Sequence, residues 1–200
     1  MHISEGVLSA PVLGVTGAAA AAMVVYGFRY VKGDMLAKTA LMSSLFFVGS
    51  FIHVPVGPSS VHLVLNGLVG AVLGVCAFPA IFTALLMQVL LFQFGGFTTL
   101  GANTVVMALP ALMGYYFYRQ GMKRQGIAQS LMFFLAGALP VLGSALLLAV
   151  VLAFSGDGLF SAAKALFLMH LPIIAVEGIV CLFLFRFILK VYPDFLERGL

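Results

Sequence analysis

Residues 127–154 read IAQSLMFFLAGALPVLGSALLLAVVLAF, an apolar run that contains no charged side chain. About 20 apolar residues in a helix cross the roughly 30 Å hydrocarbon core of a bilayer, so this run predicts a transmembrane helix. The whole chain has the same character: 63% of its 200 residues are hydrophobic, 8% are charged and the mean hydropathy is +1.19. Soluble domains carry about 25% charged residues. The composition therefore excludes a soluble globular domain and predicts an integral membrane protein.

The same length criterion divides the chain into about seven transmembrane helices, which predicts an all-α polytopic membrane protein with a single domain over residues 1–200. The apolar runs lie at 9–30, 35–53, 61–78, 79–93, 104–118, 127–154 and 165–185, with Gly, Pro or polar residues between them. The third and fourth runs are short. Their junction, Ala77-Phe78-Pro79-Ala80, carries no charge, so this pair is expected to form either a tight hairpin or one bent element.

Basic residues predict the orientation of these helices. Nine of the ten lie in three clusters that follow the first, fifth and last runs: Arg29, Lys32, Lys38, Arg119, Lys123, Arg124, Arg186, Lys190 and Arg198. Seven crossings place all three clusters on one side of the membrane and leave Lys164 on the other. By the positive-inside rule the basic side is cytoplasmic. We therefore expect the N-terminus outside and the C-terminus inside, in a bacterial or archaeal cell membrane, and no nucleic-acid partner.

Polar residues concentrate in three short stretches that this topology places outside the cell: residues 1–2, 53–62 (HVPVGPSSVH) and 93–104 (QFGGFTTLGANT). Their convergence on one face predicts a site for a small ligand, because polar groups are costly in a membrane. Taken singly, His53 and His170 are more typical of structural residues near helix ends, and Gly-rich connectors often only turn the chain. His62 is balanced between the two readings, because Ser60 can cap the helix that follows.

His2 differs from the other histidines because of its position. An unblocked amino group, the next peptide nitrogen and the Nδ1 of a residue-two imidazole can close two chelate rings on one metal ion. One further imidazole, for which His62 is the candidate, would complete a planar set of four nitrogens that suits Ni²⁺ or Cu²⁺. Taken alone, a histidine at position two can also be chance.

The last apolar run carries two residues that are unusual at membrane depth. Glu177 lies seven residues after His170, two helical turns along one face, so both can line the same interior seam. A carboxylate at this depth indicates either a functional group or a hydrogen-bonded packing group.

Small residues recur at every fourth position on two of the predicted helices. They are Gly14, Ala18 and Ala22 on the first, and Gly70 and Gly74 on the third. This spacing favours close helix packing within the chain, with docking against a partner membrane subunit as the alternative.

Four separated motifs, in order, resemble the CbiM/NikM family. They are MHISEG at 1–6, IHVPVGPSSVH at 52–62, the run 93–103, and His170-Leu171-Pro172 with Glu177-Gly178. The likeness covers essentially the whole chain. Members of this family are the substrate-binding membrane components (S components) of energy-coupling factor transporters for cobalt and nickel.

The resemblance implies a seven-helix protein whose extracellular N-terminus inserts into the core and ligates the metal. The implied ligands are the Met1 amine, the amide and imidazole nitrogens of His2, and the imidazole of His62. Side chains that would orient the imidazoles and hold the N-terminal segment are Ser60, Thr98, Thr99 and Asn103. Family members often have a histidine before the Gly-Gly pair, where this chain has Phe94, which puts an extra ligand from that loop in doubt.

The resemblance also implies a transported ion, Co²⁺ or Ni²⁺, without a prosthetic group. The implied partners are membrane lipid, a transmembrane coupling protein (T component), a cytoplasmic ATPase and often a small accessory membrane protein. The 52–62 motif looks more like the cobalt branch, which is associated with cobalamin synthesis, whereas planar nitrogen ligation suits nickel at least as well.

Two other functions compete with transport by such a complex. One is an intramembrane hydrolase that uses His170 and Glu177, although HExxH is absent and no Ser, Cys or Asp is paired with a base at catalytic spacing. The other is a secondary transporter in which Glu177 carries protons. The resemblance implies a transporter subunit and not an enzyme, with ATP hydrolysis on a partner. The lack of a phosphate-binding Gly-rich loop with its Lys is consistent with this.

Overall fold

The computed structural model describes residues 2–56, 59–156 and 160–191, with side chains described outside 53–61 and 160–163. Over these residues the chain forms seven α-helices and a β-hairpin. The helices are α1 (Ala10–Phe28), α2 (Asp34–Gly49), α3 (Asn66–Leu73), α4 (Ala77–Phe92), α5 (Leu100–Met122), α6 (Gly126–Ala153) and α7 (Phe160–Val191), and the strands are β1 (His53–Val56) and β2 (Ser59–His62). The prediction of a helical membrane protein is confirmed.

The β-hairpin is a departure from the all-α prediction. The apolar runs 35–53 and 61–78 predict the second and third helices, joined by residues 53–62, but α2 ends at Gly49 and α3 begins only at Asn66. Strands β1 and β2 pair antiparallel, with His53 opposite His62. Prolines at 55 and 58 disfavour helix in the residues before them, and the valines at 54, 56 and 61 are strand formers. The hairpin therefore occupies the polar connector between α2 and α3.

Five helices of the described residues are long and apolar enough to cross a membrane. They are α1, α5, α6, the Lys164–Val191 part of α7, and the unit Asn66–Phe92, in which a 3₁₀ turn at Gly74–Cys76 joins α3 to α4. Helix α2 has 16 residues, fewer than the about 20 that a perpendicular span needs. The chain is therefore a multi-pass membrane protein by length and composition.

The chain reverses direction at the 3₁₀ turn. Helix α3 follows α5 in the same sense, because Asn66 bonds to the carbonyl of Met107 and Gly74 packs against Tyr115. Helix α4 then begins beside Gly27 at the end of α1 and runs back until Gln88 reaches His2. Of the two predicted alternatives, the structure forms the tight hairpin.

Glycines on α3 let three helices meet backbone to backbone. A Cβ on Gly70 would overlap the carbonyl of Ala111 on α5, and one on Gly67 would overlap the carbonyl of Ala136 on α6. The residues Gly14, Ala18 and Ala22 on α1 are instead exposed. The expectation of packing within the chain is therefore right for the small residues of α3 and wrong for those of α1.

Candidate metal centre

The N-terminal segment docks through the backbone of Ile3. Its N–H donates to Asn103 Oδ1 at 2.8 Å, and its carbonyl accepts from Thr99 Oγ1 at 2.8 Å and from Asn103 Nδ2 at 3.1 Å. Thr99 is the N-cap residue of α5, yet its hydroxyl is used for this contact and not to cap the helix. Because Thr99 and Asn103 are one helical turn apart, their buried side chains lie on the same face of α5, and the N-terminal segment packs against them.

Glu5 makes a second attachment, at the exposed edge of the segment. Its carboxylate accepts the backbone N–H of Thr98 at 3.1 Å and also the Thr98 hydroxyl. The hydroxyl bond is the main reason that the pKa of Glu5 lies below its usual value, with the backbone bond acting in the same direction. A Cβ on Gly96 would overlap the Glu5 carboxyl group. Glycine at 96 is therefore what lets the loop after α4 approach the segment.

These attachments place His2 beside His62. The centroids of the two imidazole rings are 5.1 Å apart, close enough for nitrogens of both rings to bind one ion. His62 Nδ1 lies 2.9 Å from the carbonyl oxygen of Leu63, which can only accept, so Nδ1 is the donor. The lone pair of the neutral His62 imidazole is therefore on Nε2, the nitrogen that could bind a metal ion.

His2 is held by a residue that the sequence analysis missed. Its Nε2 lies 2.8 Å from Oε1 of Gln88, a fully buried amide on α4. Burial is the main cause that lowers the pKa of His2 from 6.5 to about 4, the charge of the amino terminus lowers it further, and the bond to Gln88 acts the other way. The imidazole is therefore neutral at physiological pH. The signal in the sequence was the side-chain amide of Gln88 within the apolar run 79–93, because a polar group at membrane depth indicates a functional role.

Phe94 forms an apolar wall of the same site. Its ring centroid lies 5.9 Å from that of His2, so the position before the Gly-Gly pair does face the candidate centre. A phenylalanine there adds no ligand, and it shields the His2 imidazole from water.

The other predicted residues fall into two groups. Met1 and the side chains of Ser60 and His53 lie outside what the structure describes, although the His53 backbone pairs with that of His62. Thr98, Thr99 and Asn103 contact the N-terminal segment at Ile3 and Glu5. Within the described residues, no three side chains of His, Cys, Asp or Glu converge on one point.

Glu177 forms hydrogen bonds to the backbone just after His62. It is fully buried on α7, and its Oε1 accepts the backbone N–H groups of Val64 and Leu65, the latter at 2.9 Å. These residues link β2 to α3, and Leu65 has a left-handed φ of 55°. Glu177 thus supplies the hydrogen bonds that neither strand nor helix provides there.

His170 and Glu177 do not form the pair that a hydrolase would need. His170 Nδ1 lies 2.6 Å from the carbonyl of Leu166, one turn back on α7. The second carboxylate oxygen of Glu177 has no hydrogen-bond partner among the described residues. The buried imidazole therefore bonds to its own helix.

Comparisons with known proteins agree with a metal-transport fold. The family model described as "cobalt uptake substrate-specific transmembrane region" matches residues 2–195. A Haemophilus influenzae protein, assigned provisionally by name to metal transport, is 38% identical over 99% of this chain and 98% of its own length. The cobalt transport protein CbiM of Propionibacterium freudenreichii is 36% identical over 96% of this chain and 88% of its own, while another relative is named for nickel transport.

A solved structure has the same fold. It is a crystal structure of a transition metal transporter that superposes with a TM-score of 0.82 at 26% sequence identity, covering 96% of this chain and 93% of the other.

Replacing Glu177 tests its support of the His62 segment. In Glu177→Leu the N–H groups of Val64 and Leu65 lose their acceptor, at a cost of about 1–3 kcal/mol for each unpaired buried group. We expect a lower melting temperature and hydrogen exchange at both amides that is at least about tenfold faster, measured by mass spectrometry. Glu177→Gln keeps an acceptor oxygen and serves as the control. Unchanged protection in Glu177→Leu would contradict the assignment.

Proposed function

The chain belongs to the family of cobalt uptake substrate-specific transmembrane proteins, and we propose that it is the substrate-capture subunit of an ATP-driven energy-coupling factor transporter. The observation that supports this best is the docked N-terminal segment, which brings the imidazole ring of His2 to a centroid distance of 5.1 Å from that of His62. The family consists of metal transporters, which are not enzymes. The ion is therefore a substrate that the subunit binds and releases.

The proposed donor set has four nitrogens from three residues. The Met1 amine, the His2 peptide nitrogen and His2 Nδ1 would close a five-membered and then a six-membered ring, and His62 Nε2 would complete the set. The bond from His2 Nε2 to Gln88 leaves Nδ1 as the nitrogen that faces this chelate. Neutral imidazoles and a deprotonated amide are good ligands for late first-row divalent ions.

We propose Co²⁺ as the principal substrate, because the motif at 52–62 resembles that of the cobalt branch of the family, and uptake would supply cobalamin synthesis. The alternative is Ni²⁺, which a planar set of four nitrogens suits at least as well. Side-by-side affinities of the purified protein for Co²⁺ and Ni²⁺ decide between them.

The proposed topology has seven crossings, with the N-terminus outside the cell membrane and the C-terminus in the cytoplasm. The reversal at Gly74–Cys76 supports this topology, because seven crossings require the segment 63–73 and α4 to pass the membrane separately. His2 then lies at the end of the bundle opposite to Arg119 and Arg186, which lie near the cytoplasmic ends of α5 and α7. The positive-inside rule gives the same direction.

The proposed partners are a transmembrane coupling protein, a cytoplasmic ATPase and a small accessory membrane protein. The exposed stripe of Gly14, Ala18 and Ala22 on α1 supports the first of these, because small residues let a partner helix approach closely in lipid. Release of the ion to the cytoplasm would follow a tilt or rotation of the whole subunit against the coupling protein.

Metal binding by the protein with its native N-terminus tests the site directly. Mass spectrometry first verifies an unmodified Met1. One glycine added before Met1 moves His2 to position three and rearranges the chelate, and His62→Ala removes one donor. Because each change alters a ligand, we expect an affinity for Co²⁺ at least about tenfold weaker in both variants. Ni²⁺ is tested only with His62→Ala, because a histidine at position three can itself chelate Ni²⁺ with the amine and two peptide nitrogens. A one-residue extension after Leu200 is the control; unchanged affinity in both variants would exclude the proposed ligands.

The α1 stripe can be tested separately from the metal centre. Ala18→Leu should leave metal affinity unchanged and reduce both recovery of the coupling protein with the subunit and metal uptake by cells, because the added bulk separates the helices. Ala175→Leu, at an exposed alanine of α7, is the matched control. Equal recovery of the coupling protein with both variants would place the docking surface elsewhere.

A further inference from the structure

Gln88 has a hydrogen-bond partner at each end of its amide. Oε1 lies 2.8 Å from His2 Nε2, and Nε2 lies 3.0 Å from the hydroxyl oxygen of Ser50, just after α2. The Ser50 hydroxyl in turn lies 2.7 Å from the carbonyl oxygen of Phe47. Gln88 and Ser50 are both buried. A continuous chain of hydrogen bonds therefore links the backbone of α2 to the imidazole of His2.

The donor and the acceptor of each of these hydrogen bonds can be assigned by starting from the Phe47 carbonyl. The carbonyl of Phe47 can only accept, so the Ser50 hydroxyl donates its one hydrogen to it. Ser50 Oγ then accepts from Gln88, which turns the amide nitrogen toward Ser50 and Oε1 toward His2. Because Oε1 carries no hydrogen, His2 Nε2 must be the donor. In the neutral ring the lone pair is then on Nδ1.

We propose that Gln88, anchored by Ser50, is a positioning residue that fixes the ring orientation and the tautomer of His2 so that Nδ1 is the metal donor. This inference rests on the proposed function. Only Nδ1 can close a six-membered ring with the peptide nitrogen of the same residue; Nε2 is on the far side of the imidazole. An amide rotated by half a turn would present its NH₂ group to Nε2 and favour the wrong tautomer.

The choice of an amide partner fits the surroundings of this site. A ligating imidazole commonly donates its other N–H to a carboxylate, a carbonyl or water. Here α4 is apolar around position 88, and a neutral amide provides the acceptor without placing a charge in the bilayer. The amide nitrogen of Gln88 donates to Ser50, and this bond prevents the amide group from rotating.

Substitutions at Gln88 separate the acceptor from the shape of the side chain. Gln88→Leu has a similar size and no acceptor, and we expect Ni²⁺ and Co²⁺ affinities about tenfold to a hundredfold weaker, as for other partners of metal-binding histidines. Gln88→Glu keeps an oxygen for His2 Nε2 and should restore most of the affinity. Gln125→Leu, at an exposed glutamine between α5 and α6, is the control and should bind as the wild type does.

The tautomer is read directly by ¹⁵N NMR of the metal-free protein with labelled histidines. The chain has four histidines, so single substitutions of the other three assign His2. We expect a hydrogen on Nε2 and a lone pair on Nδ1 in the wild type and in Gln88→Glu. Ser50→Ala removes only the anchor, and we expect weaker metal binding than in the wild type even where Gln88→Leu fails to fold.

Two kinds of failure are distinguishable. If the wild type with its native N-terminus binds neither Co²⁺ nor Ni²⁺, the proposed function is wrong. If the wild type binds but carries the hydrogen on His2 Nδ1, or if Gln88→Leu and Ser50→Ala bind as tightly as the wild type, only the positioning role is overturned. Equal losses in Gln88→Leu and Gln88→Glu would likewise show that the acceptor oxygen is not what matters.

Discussion

The docking of the Ile3 backbone on Asn103 and Thr99 is the interaction on which the candidate site depends. Three hydrogen bonds hold the backbone N–H and carbonyl of one residue, Ile3, at the start of α5. Residue 2 must then lie within one residue length of this anchor, against α4 and the hairpin. Without these bonds His2 would be on a free chain end, where ordering it on a metal ion would cost conformational entropy.

Three of the buried polar side chains near the candidate site fix irregular backbone. Asn103 and Thr99 hold the N-terminal segment, and Glu177 holds the link from His62 to α3. Each replaces hydrogen bonds that regular helices would make internally, as backbone in an apolar environment requires. The two imidazoles are thus positioned by elements from distant parts of the chain, which makes the site a product of the whole bundle.

The sequence predicts the helical class well because a bilayer imposes a simple requirement of length and apolarity. It predicts poorly where local and tertiary effects compete. The run 35–53 is apolar enough for one helix, yet its end pairs as a strand with residues 59–62. Gln88 is one of few polar residues in the apolar run 79–93, and only the folded chain reveals that it contacts His2. Thr98, Thr99 and Asn103 could be predicted as a group from their position in one loop, but their individual partners could not.

X-ray absorption at the metal edge of the loaded, wild-type protein tests the central claim most directly, because it reports the identity of the donor atoms. The account predicts a first shell of nitrogens without sulfur, together with the outer-shell scattering of two imidazole rings. A sulfur ligand, a shell of carboxylate or water oxygens, or scattering from fewer than two imidazoles would contradict a site built from the N-terminus and His62.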